Sequence, residues 1–460
     1  MAMTSADACR VCSLVRRMYI GGQVIQKNGL LTSSKRWLNT SQERYASTKS
    51  AETVGVQHLR RCIQTTGPLT VAEYMREVLT NPVTGYYMSQ DVFGTKGDFI
   101  TSPEISQMFG ELIALWVIHE WTQWGQKSPL QIVELGPGRG TLADDMLRVF
   151  KQFQHVTGDS LSLHLVEVSP KMSQLQEDKL TGRQGSRTDT EEPEVNHDSP
   201  ADRCSLDSGA AYKTSISKTG VPVSWYRSLK EVPKGMSCFI AHEFFDALPI
   251  HKFQKTEKGW REVLVDVDSD DNGPHHLRFV LSPAPTPAST VYLQSLTQGN
   301  DRRDHVEVCP EGGAIVQEMA HRVSEHGGMS LIVDYGHDGT KTDTLRGFKK
   351  HRLHDVLCEP GTADLTADVD FSYFRQIVQG KASTYGPITQ ESFLKAMGIE
   401  TRLKMLLKSA TAEQSKGLLT GYRMLTDPAQ MGERFKCFAM MPPNRGTQSG
   451  QARPPAAFPS

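Results

Sequence analysis

The chain of 460 residues is long enough for one large α/β domain with additions or for two domains, and its 38% hydrophobic and 22% charged residues, with mean hydropathy −0.41, describe an ordinary globule. The longest apolar run, "LIALWVI" at 112–118, falls far short of the ~20 residues of a membrane span, so no transmembrane segment is expected. The formal net charge is −1, but residues 1–50 carry eight basic and two acidic side chains while the rest carries 43 basic against 50 acidic, a balance that argues against a nucleic-acid partner.

Residues 1–50 are rich in Arg and Ser, poor in acids and without a long apolar core. That pattern predicts a mitochondrial transit peptide, or otherwise a disordered basic tail, better than a secretory signal. The eight cysteines are scattered, with Cys9 and Cys12 the only close pair, and no spacing suggests zinc or another metal. Free thiols fit a reducing compartment such as the mitochondrial matrix.

Next, "GPLTVAEYMREVLTNPVTGYY" reads as a short helix, an Asn-Pro turn and an aromatic patch. In "GDFITSPEISQMFGELIALWVIHEWTQWG", Ile105, Met108, Phe109, Leu112, Ile113 and Trp116 follow the rhythm of a helix with one buried face. Thr101 and Glu104 offer it a capping box, and Pro103 suits its first turn. From 130 onward strands and helices alternate. "LQIVEL", "LSLHLVEV", "MSCFIA" and "MSLIVDYG" are near-continuous apolar strands, and 141–153 and 311–326 are helices. The expected class is therefore a doubly wound, mostly parallel α/β fold. Residues 176–219 read as a disordered insertion, 253–309 as an inserted lid or substrate region bearing a β-hairpin, and 442–460 as a disordered tail.

The turn "VELGPGRGTLADD" places Gly136, Gly138 and Gly140 between a strand and a helix. A dinucleotide fingerprint is one residue wider, G-x-G-x-x-G. Thr141 with Asp144 offers a capping box, and Asp145 adds a second carboxylate to the first helical turn, so a pyrophosphate there would meet like charges. An NAD-binding oxidoreductase is thus the weaker alternative. S-adenosyl-L-methionine carries no phosphate; Glu134 could balance its ammonium end, and Glu167, closing the next strand, could accept its ribose hydroxyls. Reacting groups should gather at the strand ends. There "HEFFDALPIHKF" offers Glu243 and Asp246, the candidate catalytic pair, whose carboxylates suit a planar guanidinium. Asp334 and Tyr335 could face the same cleft, and "GTADLTADVDFSYF" reads either as a patch for a basic peptide or as a solvated acidic loop. The histidines are too dispersed for a metal.

Taken together, "GDFITSPEISQMFGELIALW", "VELGPGRGTLADDMLR", "AHEFFDALPIHKFQ", "LIVDYGHDGT" and "LTADVDFSYF" resemble the MidA-type protein arginine methyltransferases over residues 66–441, above all their mitochondrial complex I assembly branch. The resemblance implies a Rossmann-like class I methyltransferase domain over 66–441, S-adenosyl-L-methionine as donor and a mitochondrial matrix location. It further implies symmetric (type II) dimethylation of an arginine on a core subunit of the matrix arm of complex I, needed for assembly of that complex. It puts Glu134, Gly136, Gly138, Gly140 and Glu167 at the donor, together with Gly97, Asp98 and Ser102 to Glu104. His242 stands where many members carry Asn, and could replace that donor-pocket amide. A non-catalytic assembly chaperone with a vestigial site is the other alternative.

Overall fold

The computed structural model describes residues 52–89, 100–125, 129–158, 160–183, 211–270, 275–294, 303–443 and 453–459. The proposed transit peptide at 1–50 lies outside them. Eight strands of the main sheet run in chain order: Leu130–Leu135 (β1), Leu161–Val166 (β2), Lys213–Ile216 (β3), Pro222–Tyr226 (β4), Ser237–His242 (β5), Gly328–His337 (β6), Ser383–Thr389 (β7) and Phe435–Met441 (β8). Across the sheet the order is β7-β8-β6-β5-β1-β2-β4-β3, and Val369–Asp370 adds a ninth, short strand beside the end of β6. Strands β6, β5, β1, β2 and β4 are parallel, whereas β3, β7 and β8 pair antiparallel at the edges. The chain therefore switches direction across the sheet at β1, the position at which a doubly wound sheet opens a crevice for a ligand.

Why these segments become parallel strands follows from their two-sided burial. In β1, Leu130 and Ile132 pack into the apolar cluster on one face while Val133 and Leu135 enter the cluster on the other. Gln107–Gln123 (α1), Thr141–Gln152 (α2) and Pro170–Thr181 (α3) contribute to the first face, and Pro310–His326 (α4) to the second. A second, antiparallel sheet joins Leu69–Thr70 to His251–Thr256, Gly259–Val267, Leu277–Leu281 and His305–Val308. It contains the expected hairpin, Val263 opposite Leu281 and Val267 opposite Leu277. A third sheet of Arg346–Lys349, Arg352–His354 and Asp364–Thr366 had no sequence signal strong enough to be expected.

Four expectations need correction. The α1 segment does not begin at Thr101: Ser102–Ile105 forms one turn, Ser106 is extended, and the helix restarts with the Ser106 hydroxyl accepting from the Met108 N–H at 3.3 Å. Thr101 makes no side-chain cap. Nor does α1 have a single buried face, because every residue from Gln107 to Trp121 is buried, and Glu111 finds its partner inside, taking Arg402 at 2.7 Å. At α2 the Thr141–Asp144 box is also absent; Gly140 occupies the cap position in a left-handed conformation, and Asp144 pairs with Lys218 at 2.6 Å. Finally, the two segments read as disordered are partly ordered. Residues 176–183 continue α3 and its end, and 211–219 include β3, so only 184–210 of that insertion lies outside the described residues. In the tail, residues 453–459 pack on the core: the Trp116 indole donates to the Ala456 carbonyl at 3.0 Å, the Ala456 N–H donates to Glu120 at 2.7 Å, and Phe458 meets Phe393.

Candidate active site

The glycine turn leaves β1 with three consecutive left-handed glycines, Gly136 at φ 62°, Gly138 at 53° and Gly140 at 74°. A side chain at Gly136 would also be blocked, since its Cβ would lie 2.7 Å from Phe244 Cδ2. The turn thus folds directly against the aromatic pair that separates Glu243 from Asp246. Glu134, one strand residue from the turn's approach, is 2% exposed, and its Oε2 has no hydrogen-bond partner. Burial alone pushes its carboxyl up to about 8. A buried, unsatisfied acid at a strand's carboxyl end is unfavourable unless something cationic joins it. That is the environment the ammonium of S-adenosyl-L-methionine requires.

Across the turn, Glu167 follows β2 directly. Its Oε1 accepts from the Ser169 N–H at 2.8 Å and its Oε2 from the Gln176 amide at 2.9 Å. A carboxylate accepts about four hydrogen bonds, so room remains for a hydroxyl donor. Burial raises this carboxyl, and those donors oppose the rise. Gln176 is the residue that sequence reasoning missed: its amide nitrogen also donates to the Gly138 carbonyl at 2.7 Å, and its oxygen accepts from the Trp225 indole at 2.9 Å. One side chain therefore ties the glycine turn to the acid of the next strand. It was assigned to disorder because it opens a low-complexity stretch.

The loop after β5 is held from beneath. Asp334 Oδ2 accepts from the backbone N–H groups of Phe244, Phe245 and Asp246 at 3.2, 2.9 and 3.3 Å. Asp334 therefore does not line the cleft but shapes the loop that does. Its grip offsets the strain of Glu243, a non-glycine at φ 49°. Asp246 is buried, and the Glu243 side chain is only 12% exposed. Burial, then Asp246, drives the Glu243 carboxyl well above its usual range, opposed by the Ser102 backbone N–H. Asp246 is raised to about 7, by burial and by Asp368 against the pull of Arg346. Several acids thus converge where water is scarce, an arrangement that favours a cationic ligand.

Of the other expected donor residues, Ser102 and Glu104 come beside Glu243, the first by a hydrogen bond and the second by charge. Gly97 and Asp98 lie outside the described residues. His242 ends β5 with its ring stacked on Phe435 at 6.2 Å and its Nε2 3.5 Å from Glu243 Oε1. Burial holds its imidazole down to about 3, and it is neutral. The acids of 361–374 are not free for a basic peptide: Asp364 accepts from the Tyr87 hydroxyl at 2.6 Å, Asp368 pairs with Arg346 and Lys341, and Asp370 caps the helix Phe371–Ile377. Behind the loop a small cavity, about 30 Å³, is lined by Phe245, Asp368, Asp370, Arg303, Lys341 and Tyr373 among others. Among the described residues no cluster could hold a metal ion, and no helix is long and apolar enough to cross a membrane.

Comparison with known proteins identifies the family. The family described as "Putative S-adenosyl-L-methionine-dependent methyltransferase" matches residues 112–388. The mitochondrial protein arginine methyltransferase NDUFAF7 of Homo sapiens is 54% identical over 392 residues, covering 85% of this chain and 84% of that one. Its Danio rerio counterpart is 52% identical over 418 residues, 91% and 94% of the two chains. The chain belongs to this methyltransferase family. A crystal structure from Burkholderia thailandensis, bound to S-adenosyl-homocysteine, shares the fold with a TM-score of 0.66 at 24% identity, covering 84% of this chain and 91% of that one. The methyltransferase uses S-adenosyl-L-methionine, in keeping with the buried Glu134 and the bare glycine turn, and the NAD alternative falls.

Proposed function

We propose that this methyltransferase is a mitochondrial protein arginine methyltransferase that symmetrically dimethylates an arginine on a core subunit of the matrix arm of complex I and is needed for that complex to assemble. Its relatives, named as mitochondrial protein arginine methyltransferases, support the acceptor residue and the organelle. The resemblance to the MidA-type family supports the complex I substrate, the matrix and the symmetric product. One observation carries the chemistry: the glycine turn of the donor crevice packs on Phe244, between the two acids Glu243 and Asp246.

In this reading Glu134 takes the donor's ammonium, Glu167 its ribose hydroxyls, and Gly136, Gly138 and Gly140 admit its nucleoside. Gly97, Asp98, Ser102, Glu104 and His242 complete that side. Bound there, the donor supplies a methyl group on a sulfonium. Glu243 and Asp246 grip the acceptor guanidinium, which stays protonated in water. They would orient one nitrogen toward the methyl carbon and accept the proton it loses as the N–C bond replaces the methyl's bond to sulfur and S-adenosyl-homocysteine leaves. Phe244 and Phe245 keep water from the acids, so positioning and charge supply most of the rate.

Incubating the protein with isolated matrix-arm subunits and donor labelled in its methyl group tests this. Label should appear as symmetric dimethylarginine on one core subunit, and Glu243→Gln should abolish it. A wild-type protein that binds S-adenosyl-homocysteine, restores complex I assembly and transfers no label would establish the chaperone alternative instead.

A further inference from the structure

We propose that Arg346 is a positioning residue that keeps Asp246, rather than Glu243, as the carboxylate already charged when an acceptor arrives. The acceptor role of the loop rests on the proposed function; the charge arrangement rests on the structure. Asp246 is clasped by two elements, its N–H donating to Asp334 Oδ2 at 3.3 Å and its carbonyl accepting from the Ala367 N–H at 2.9 Å. Each clasping residue is followed by one that holds Arg346. Tyr335, after Asp334, has its ring centroid 5.7 Å from the Arg346 guanidinium carbon. Asp368, after Ala367, lies with Oδ1 2.6 Å from Arg346 Nη1. A third anchor is the Thr344 carbonyl, which accepts from the same nitrogen at 3.0 Å. The guanidinium is therefore wedged between the two strands that hold the acid.

The titratable groups facing Asp246 are the acids Glu243 on its loop, Asp334 from β6 and Asp368 from the returning segment, with the neutral phenols of Tyr335 from β6 and Tyr87 from the N-terminal helices. Arg346 is the cation that opposes them. Lys341 also pairs with Asp368 at 2.6 Å, but it is 53% exposed. Among the described residues no Lys or Arg forms an ion pair with Glu243, and its Oε1 is buried without a hydrogen-bond partner. An arginine holds its charge at every working pH, so this bias does not fade.

The test follows the Asp246 carboxyl itself, by carbon-13 resonance in protein labelled at aspartate carboxyls, with Asp246→Asn assigning the signal. In Arg346→Gln its titration should move up by at least one pH unit, and Arg346→Lys should return most of that shift. Thermal stabilisation by S-adenosyl-homocysteine, unchanged in both variants, shows that they fold. The acid limb of kcat/KM toward an arginine peptide should move by the same amount. An Asp246 signal that titrates at the same pH with and without Arg346 overturns the inference. A shifted signal in a protein that methylates no arginine peptide supports it while overturning the proposed function.

Discussion

The donor side and the acceptor side of this site share a wall yet are assembled by opposite strategies. Between Glu134 and Gln176 one continuous strand-turn-helix-strand-helix run supplies the donor side. The proposed acceptor side draws Glu243, Asp246, Asp334, Arg346 and Ala367 from separate elements, joined by hydrogen bonds to the loop backbone and by charge. A ligand seat of the first kind depends on backbone conformation at a few positions. The second depends on the mutual placement of charges. Binding of donor and transfer of methyl should therefore be separable, except where the two sides touch.

The largest effect is expected at the turn. Gly138→Val puts a β-branched residue at φ 53°, a region such side chains rarely enter. Stabilisation by S-adenosyl-homocysteine should vanish in a melting experiment, and methyl transfer with it. Gly136→Ala probes the shared wall, because its Cβ would press on Phe244 while the Phe244 N–H is held by Asp334. It should impair donor binding and transfer together. If donor affinity alone suffered, the two sides would be less tightly joined than the contact implies.

Next in size is Glu243→Gln, which removes an ionisable carboxyl from the acceptor side with little change of shape. Transfer should fall by roughly 10²–10³-fold, the loss typical of one preorganised electrostatic group. Donor affinity, measured by calorimetry, should stay within about twofold, since Glu243 contributes no hydrogen bond to the turn or to Glu167 in the structure. An equal loss of donor binding would erase the distinction between the sides.

The same contrast governs what was legible before the structure. The strands from 130 to 166 and the helix between them carry their signal locally, in apolar runs and a glycine turn, and they form where expected. Glu134 and Glu167 follow from position at strand ends. Asp334 lies toward the carboxyl end of β6, beside Tyr335, yet it points into the loop backbone rather than the cleft, a distinction that strand position cannot make. Arg346 lies in a short hairpin whose strands have no apolar run, and its partner Asp368 is distant in sequence. Composition also misled at two edges. Gln176 opens a polar stretch and Ala456 sits among prolines, but each is buried by one specific contact, with Trp225 and Trp116 respectively, and composition does not register single contacts.

A smaller effect concerns protons on the donor side. Without ligand, Glu134 keeps its proton up to about pH 8, against 4.5 for an ordinary glutamate. Between those values the folded chain holds a proton that the unfolded chain has released, so this group's contribution to stability declines as pH rises and levels off above 8. Ligand binding runs the other way. An ammonium pairs with the carboxylate form, so S-adenosyl-homocysteine affinity should climb by up to about tenfold per pH unit toward pH 8 and then plateau. Calorimetry in buffers of different ionisation enthalpy should detect the released proton. Glu134→Gln should bind weakly at every pH, with the slope gone; a slope that survives would place the titrating group elsewhere.

The smallest change tests how far the local logic of the donor side extends. Gln176→Ala removes the amide linking the Gly138 carbonyl to Glu167, and it leaves the Trp225 indole N–H buried without its acceptor. Losing one such hydrogen bond costs about 1 kcal/mol, and stranding a buried donor ~1–3 kcal/mol, so a lower melting temperature is expected. Only part of that loss reaches the ligand. The glycines keep their backbone conformation, and Glu167 keeps its Ser169 contact. Donor affinity should fall by about tenfold, equivalent to ~1.4 kcal/mol. The maximal rate with saturating donor should be unchanged, because no acceptor-side group touches Gln176 in the structure. A fall in that rate would mean that the two sides communicate through α3 as well as through Phe244.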